Sequence, residues 1–374
     1  MVFLFNQENQ RLARANMEES MQKLVEEKAQ VISLKLSRVE DESAVISLWL
    51  YQALTKESPA QLKENYKRDE NNVLFRALTK TEAKTVNPTQ ISSAYLPEDL
   101  PLSSQIIHEI NSTEELDIVF KDVMDRNELV EWIYVITNSG FLRVFPYLNN
   151  NVLMPDQEMR NEAFYIDAAS RSNPKSKVVW TKPYVDYAGK GWIITCSRPL
   201  YIDGQLRAVI CMDVSLKSIE KAMEDFRLSK SGFAFLIDGE GNIIYHPDFL
   251  PTETKQGDRI QGNLTKGSPE EYKQIIQAMR AGSHGIGEYK KDGKETRTVA
   301  YTAIEDLNWS IGMEVNPDDY LLGTKKVTEN IIILGIILTM MLAVFGIFLF
   351  TILSKPLVQL TKNAKRISEG EFGK

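Results

Sequence analysis

Asp213 sits near the end of an otherwise apolar run, Ala208-Val-Ile-Cys-Met-Asp-Val-Ser215. A carboxylate beside Cys211 is costly to bury without a counter-charge. Two kinds of partner stand open: a cationic group brought by a ligand, and the chain's own Arg198 or Arg207. Cys211 and Cys196 are the two cysteines, too few for a disulfide framework. His108, His246 and His284 lie in separate segments with no zinc spacing, and His246 reads as a turn or packing residue. No Gly-x-Ser-x-Gly elbow and no Gly-rich phosphate loop occurs. These residues point to a binding site, with no catalytic group, no metal site and no cofactor.

Strands must position Asp213. Asp203-Gly204 joins residues 191–201 and 205–214 as a tight hairpin. Counting outward from an Ile202–Gln205 pair sets Cys196 opposite Cys211 and Ile194 opposite Asp213, all on one face. The count also puts the cysteines at the wider, hydrogen-bonded spacing, which predicts two buried thiols rather than a disulfide. Upstream, Asn138-Ser139-Gly140 turns between strands 132–137 and 141–146, and a short helix is expected over 159–169. Another helix fits 114–125 with Thr113 as its cap, and a strand fits 178–180. A second α/β pattern follows: helix 218–226, hairpin 233–237 and 242–245, helix 271–279, then strands 287–291, 296–304 and 309–315. Residues 56–112 are broken by Asn87-Pro88, Leu96-Pro97 and Leu100-Pro101 and give no legible elements.

Residues 6–55 read as one long helix. Met17, Met21, Leu24, Lys28, Val31, Lys35, Val39, Ile46, Leu50 and Ala53 step mostly by three or four, and Val25, Ile32, Leu36 and Trp49 widen the stripe. So long a helix outruns one domain, and part of it is expected to pack against another helix. Residues 331–353 are almost unbroken apolar sequence, long enough for a transmembrane helix. Lys355, Lys362, Lys365 and Arg366 follow it, which favours a cytoplasmic C-terminus and an extracytoplasmic main body at the cell membrane. Met1-Val-Phe-Leu-Phe5 reads either as the end of a first membrane helix or as a chance apolar start. The chain has 374 residues, 43% of them hydrophobic, and a net charge of −7 without a basic cluster ahead of the membrane run. That balance argues against nucleic acid as a partner.

Several phrases, in this order and spacing, resemble a double Cache sensor, an extracytoplasmic ligand-binding region of bacterial receptors. They are Trp132-Ile-Tyr-Val-Ile-Thr-Asn-Ser-Gly-Phe-Leu-Arg-Val-Phe-Pro146, Thr181-Lys-Pro-Tyr-Val-Asp186, Thr195-Cys-Ser-Arg-Pro-Leu-Tyr201, Ala208 to Ser215, and Asp238-Gly-Glu-Gly-Asn-Ile-Ile-Tyr-His-Pro247. Pro356-Leu-Val-Gln-Leu360 with Ile367-Ser-Glu-Gly-Glu-Phe372 resembles the first half of a HAMP linker. The resemblance implies an α+β fold with two PAS-like Cache modules carried on the long helix, each with an antiparallel sheet. The expected parts are the helix 1–55, a membrane-distal module 56–216, a membrane-proximal module 217–328, the membrane helix 331–353 and a partial HAMP linker 354–374. A HAMP linker implies a homodimer, and an output module beyond Lys374.

Many members of this family bind amino acids through an Arg-x-Trp-Tyr motif, a Tyr-x-Asp motif and an aspartate late in the last distal strand. Those positions here hold Phe164-Tyr165, Tyr184 with Asp186, and Asp213, while Glu162 stands at the arginine position and Arg160 is the nearest arginine. An arginine would clamp a ligand carboxylate, and Glu162 would repel it. Asp186 and Asp213 can accept from an ammonium group, and Phe164, Tyr165 and Tyr184 can pack against a cation. The expected small-molecule ligand is therefore an amine or another amino-group-bearing compound. The alternatives are an amino-acid sensor in which Arg160 supplies the clamp, and a membrane-anchored interaction module without a ligand. Ordinary core packing is the alternative role for Phe164 and Tyr165, and solvent exposure for Glu162.

Overall fold

The computed structural model describes residues 2–78, 87–149, 151–169, 171, 173–223, 231–249, 255–260, 262, 264–305 and 307–368. Glu18–Asn316 make one compact unit; Met1–Met17 with Pro317–Lys374 make another. The helix α1 runs Val2–Thr55, uninterrupted by Gly or Pro. Met21, Val25, Ile32, Leu36, Val39, Ile46 and Leu50 are buried along it, as a 3.6-residue stripe requires. Trp49, expected to widen that stripe, is instead 45% exposed. It lies one residue off the buried Leu50, about 100° further round the helix.

The larger sheet has nine antiparallel strands, with β7 paired to β8 beside the path β1-β2-β3-β5-β4-β9-β8-β6. Its centre is β4 (Val130–Thr137), β8 (Trp192–Ile202) and β9 (Gln205–Ser215), flanked by β5 (Leu142–Phe145), β6 (Val179–Trp180) and β7 (Tyr184–Val185). The hairpin β8–β9 departs from the sequence expectation. Ile202 pairs with Gln205 and Tyr201 with Leu206, but Leu200 pairs with Ala208, so Arg207 is an extra residue. This β-bulge shifts every later pair by one. Cys196 therefore faces Met212, Ser197 faces Cys211, Ile194 faces Val214 and Thr195 faces Asp213. Because side chains alternate, Cys196 and Cys211 lie on opposite faces, each a free buried thiol. On the Cys196 face, Arg198 donates to Ser43 Oγ of α1 at 2.8 Å and to the Glu40 carbonyl at 3.0 Å.

The segment 56–112 does contain structure: β1 (Tyr66–Arg68), β2 (Leu74–Arg76), β3 (Ser93–Leu96) and α2 (Ser104–Thr113). Ser103 caps α2 by accepting from the Ile106 N–H at 3.2 Å. Buried Arg143 on β5 ties this segment to the sheet. It donates to Thr113 Oγ1, Ser92 Oγ, Tyr66 Oη and the Ile110 carbonyl at 2.7–3.1 Å.

The smaller sheet is antiparallel, in the order β11-β10-β14-β13-β12. Its strands are β10 (Phe233–Asp238), β11 (Ile243–Tyr245), β12 (Gly285–Lys291), β13 (Glu295–Ile304) and β14 (Trp309–Val315). A helix, Glu270–Arg280, packs Ile275, Ile276 and Met279 against Phe235 and Val299. His246 is buried among Phe233, Phe235 and Phe249, and its Nδ1 accepts from the Asp248 N–H at 3.1 Å. It is the packing residue its position suggested. Helix 218–226 was expected; Leu216–Met223 is helical, and 224–226 fall outside the described residues.

Strand β7 of the larger sheet is tied through backbone to the loop at residues 257–258, which follows β11 in the chain. The Val185 N–H donates to the Asp258 carbonyl at 2.8 Å, and the Gly257 N–H donates to the Val185 carbonyl at 2.9 Å. Gly257 holds φ +75° there, and an added Cβ would lie 2.9 Å from the Tyr187 hydroxyl. The positive φ favours glycine, and any larger residue would also have to move the Tyr187 hydroxyl aside.

In the other unit, one helix spans Pro317–Ser368. Its stretch Asn330–Lys365 is long and apolar enough to cross a membrane, and none of its apolar window is buried in the protein. A helix apolar all round and exposed suits lipid. It continues through Ser354-Lys355-Pro356, where the membrane run was expected to close. Of the two HAMP-like phrases, Pro356–Leu360 is helical, and residues 369–372 fall outside the described residues.

Candidate functional site

The Asp213 face of the larger sheet carries the site. Strand alternation puts Trp132 and Tyr134 of β4, Thr195 of β8, and Cys211 and Asp213 of β9 on one side. Asp213 Oδ1 accepts from the Thr195 hydroxyl at 2.7 Å and from the Tyr134 hydroxyl at 3.0 Å. Tyr184 reaches the same Thr195 hydroxyl at 2.6 Å. Asp186 follows β7 and is held differently. Its carboxylate accepts from Trp132 Nε1 at 3.0 Å and from the backbone N–H groups of Ala188 and Lys190 at 3.0 and 2.9 Å. Both aspartates are buried, at 3% and 4% exposure, and neither makes an ion pair among the described residues. Arg198 is occupied on the opposite face, so the pairing of Asp213 with this arginine does not form.

These surroundings set the charge. Burial pushes the Asp213 carboxyl well above its ordinary range, and the charge of Asp186 pushes in the same direction; the Thr195 and Tyr134 hydroxyls oppose both. Asp186, with three N–H donors, has the environment of a carboxylate acceptor.

Phe164 closes the site from a one-turn helix, Ala163–Ile166. Its ring meets Tyr134 edge-on at 5.5 Å and Tyr184 at 6.1 Å. Together Trp132, Tyr134, Phe164, Tyr184, Asp186 and Asp213 line a cavity of about 50 Å³, finished by apolar side chains such as Leu142, Val144 and Met159. Among the described residues, no lysine or arginine lines it.

Three expected residues stand elsewhere. Tyr165 is packed in the core, its buried hydroxyl without a hydrogen-bond partner among the described residues. Arg160 is turned away: its Nε donates to Glu158 Oε1 at 2.9 Å and its Nη1 to the Asn138 carbonyl at 2.7 Å. Glu162 accepts from the Tyr187 hydroxyl at 2.9 Å and faces a separate cleft between the two sheets. Repulsion by Glu162 therefore does not operate inside the cavity. Trp132, Tyr134 and Thr195 were not anticipated as site residues. The first two share a strand face two residues apart, a signal present in the sequence, whereas Thr195 reaches Asp213 only because of the bulge at Arg207.

The whole region matches a known family, whose description, a Cache domain, fits residues 7–324. The chain belongs to the Cache domain family. Among curated proteins, this Cache chain is 24% identical over 252 residues to the methyl-accepting chemotaxis protein McpC of Bacillus subtilis, covering 67% of this chain and 34% of that protein. It is 27% identical over 223 residues to the methyl-accepting chemotaxis protein PctB of Pseudomonas aeruginosa, covering 59% and 32%. The chain thus spans about a third of the length of the curated relatives it matches. Among solved structures, the periplasmic sensory domain of the Campylobacter jejuni chemoreceptor Tlp1 shares the fold at a TM-score of 0.54 and 13% identity, over 83% of this chain and 98% of that one. The PctB ligand-binding domain in complex with L-Arg aligns at 0.42 and 22% identity, over 57% and 78%.

Proposed function

We propose that this Cache region is the extracytoplasmic sensor of a transmembrane receptor, and that its larger, membrane-distal module binds a small molecule by its ammonium group. The observation that carries the reading is the pair of buried carboxylates, Asp186 and Asp213, on a wall with three aromatic hydroxyl or indole neighbours; among the described residues neither forms an ion pair, and the nearby Lys190 ammonium lies over the Trp132 ring instead. A buried carboxylate needs a counter-charge, and this wall supplies only neutral donors. Amines and amino acids both carry the required group; the aromatic rings of Phe164, Tyr134 and Tyr184 can face it. The apolar helix Asn330–Lys365 with its basic tail supports membrane anchoring with a cytoplasmic C-terminus. A HAMP linker after it would pass the signal to an output module.

The reading includes a homodimer. On α1, Leu34, Val45 and Leu48 are exposed at 72, 39 and 67%, with Trp49 and Tyr51 beside them. Leu34 and Leu48 lie fourteen residues apart, two heptads, on one face of the helix.

A thermal-shift panel tests the ligand class on the full chain in detergent, with ethanolamine, phenethylamine, L-arginine and the N-acetyl form of each. A ligand at 100 times its dissociation constant adds about 2.7 kcal/mol, several degrees of melting temperature. Stabilisation by free amino groups, lost on acetylation, is expected. Equal stabilisation by the acetylated forms would overturn the reading.

A further inference from the structure

Between the two sheets lies a second cavity of about 430 Å³, within the range of about 300–1,000 Å³ typical of small-molecule sites. Its charged walls divide into groups that are already satisfied and groups that are not. Asp238 is used by its own turn: it accepts from the Glu240 and Asn242 backbone N–H groups at 2.9 and 2.8 Å and from Asn242 Nδ2 at 2.6 Å. Glu240 pairs with Lys182 at 3.4 Å. Glu162 has one donor, the Tyr187 hydroxyl. Asp167 and Arg259 line the same cleft and make no side-chain hydrogen bond or close ion pair among the described residues. Asp167 and Glu162 flank the one-turn helix Ala163–Ile166 in the larger module; Arg259 comes from the smaller module, in the stretch that hydrogen-bonds to β7. Burial pushes the Asp167 carboxyl above its ordinary range, and the charges of Arg259 and Lys182 oppose that rise. Among the described residues the cleft thus offers two carboxylates from one module and, from the other, a guanidinium without a close ion pair, with the Tyr187 and Trp309 rings also lining it.

We propose that this inter-module cleft is a second binding site, for a zwitterionic small molecule of about dipeptide size. Its ammonium group takes the Glu162 and Asp167 wall, its carboxylate takes Arg259, and its side chain lies on the aromatic rings. Guanidinium suits a carboxylate because it presents paired N–H donors. The site is distinct from the 50 Å³ cavity of the larger module and stands whether or not that cavity takes an amine. Yet Phe164, Tyr184 and Tyr187 line both spaces, so occupancy of one changes the wall of the other. Such coupling is reciprocal, each occupant altering the other's affinity by the same factor.

Calorimetry on the full chain in detergent, with alanyl-phenylalanine as the probe, tests the proposal. Binding is expected to weaken at least tenfold in Arg259→Gln and in Asp167→Asn, and to persist in Asp213→Asn. Blocking either end of the probe, as N-acetyl-alanyl-phenylalanine or alanyl-phenylalanine amide, is expected to weaken it comparably. Asp167 and Arg259 are exposed, so melting temperatures near that of the wild type should show that both variants fold. The absence of binding to the wild type at millimolar probe would overturn the proposal. So would binding that is lost in Asp213→Asn and untouched by Arg259→Gln, which would place the dipeptide in the other cavity.

Discussion

Thr195 stands directly opposite Asp213 across β8 and β9, and its hydroxyl donates to the aspartate at 2.7 Å. The pairing exists because Arg207 is an extra residue in the hairpin. Without the bulge, Ile194 would oppose Asp213 and the aspartate would lack this donor.

The same register governs the cysteines. Ser197 Oγ lies 3.7 Å from Cys211 Sγ, and the two residues are cross-strand partners, a spacing that fits disulfide geometry. Ser197→Cys is expected to form a disulfide with Cys211 when the chain is refolded from denaturant under oxidising conditions, while the wild type keeps two free thiols. Burial raises both wild-type thiols above their ordinary pKa, so they should react with a thiol reagent only after unfolding. Mass spectrometry of the alkylated chain reads both results; a Cys196–Cys211 disulfide in the wild type would contradict the register.

The raised pKa of Asp213 gives opposite pH trends for stability and for binding. The unfolded carboxyl titrates near 3.9. Its contribution to stability is fully present below that value and is lost as pH rises through the higher folded value. A bound ammonium group favours the ionised form, so amine affinity should climb with pH over the same window, by up to about tenfold per unit. A primary amine stays charged from pH 5 to 8, so ligand titration does not confuse the result. Affinity measured by calorimetry across that range should flatten in Asp213→Asn. A wild-type affinity independent of pH would contradict the assignment.

His246 works in the other direction. Burial among three phenylalanines pushes its pKa down to about 4. A depressed histidine contributes stability above its unfolded value of about 6.5, and that stability is lost as pH falls toward 4. The loss is on the order of 3 kcal/mol. Denaturant titrations of His246→Gln at pH 7 and pH 4.5 should show a smaller acid loss than the wild type, because glutamine can still accept from the Asp248 N–H. An unchanged acid loss would assign it to other groups.

Arg143 anchors the segment that precedes α2. Arg143→Leu would leave Thr113, Ser92, Tyr66 and the Ile110 carbonyl without their donor. Thr113 keeps the Glu109 carbonyl and Tyr66 keeps Glu114 as partners, so Ser92 Oγ and the Ile110 carbonyl carry the loss; at about 1–3 kcal/mol for each buried group left unpaired, a total of about 2–6 kcal/mol is expected. Equilibrium unfolding of the variant checks it, with a change below 1 kcal/mol as the contrary result.

Much of this architecture is written in local signals. The turns Asn138-Ser139-Gly140, Asp203-Gly204 and Asp292-Gly293 mark three hairpins, and apolar stripes mark α1 and the membrane run. Residues 56–112 are hard to read because their strands are only three or four residues long and depend on distant partners such as Arg143. Pro101 and Ser103 marked the start of α2, but the surrounding breaks hid that signal. Within the site, Asp186, Asp213, Tyr184 and Phe164 were legible from type and position. The bulge at Arg207 was not, since nothing in Gln205-Leu-Arg-Ala208 distinguishes a regular strand from one with an extra residue. Arg160 and Glu162 misled because neighbours in sequence point into different spaces in the fold.

The central claim is that Asp213 recognises a ligand's ammonium group. Its most direct test is calorimetric titration of phenethylamine into the full chain, wild type against Asp213→Asn. Asparagine keeps the size and an acceptor for Thr195 and Tyr134, so the fold should survive, as an unchanged denaturation curve near pH 5 would verify. A charge-assisted hydrogen bond is worth roughly 1.5–3 kcal/mol, so the account predicts affinity weakened by about ten- to a hundredfold. Equal affinity in the folded variant would contradict it.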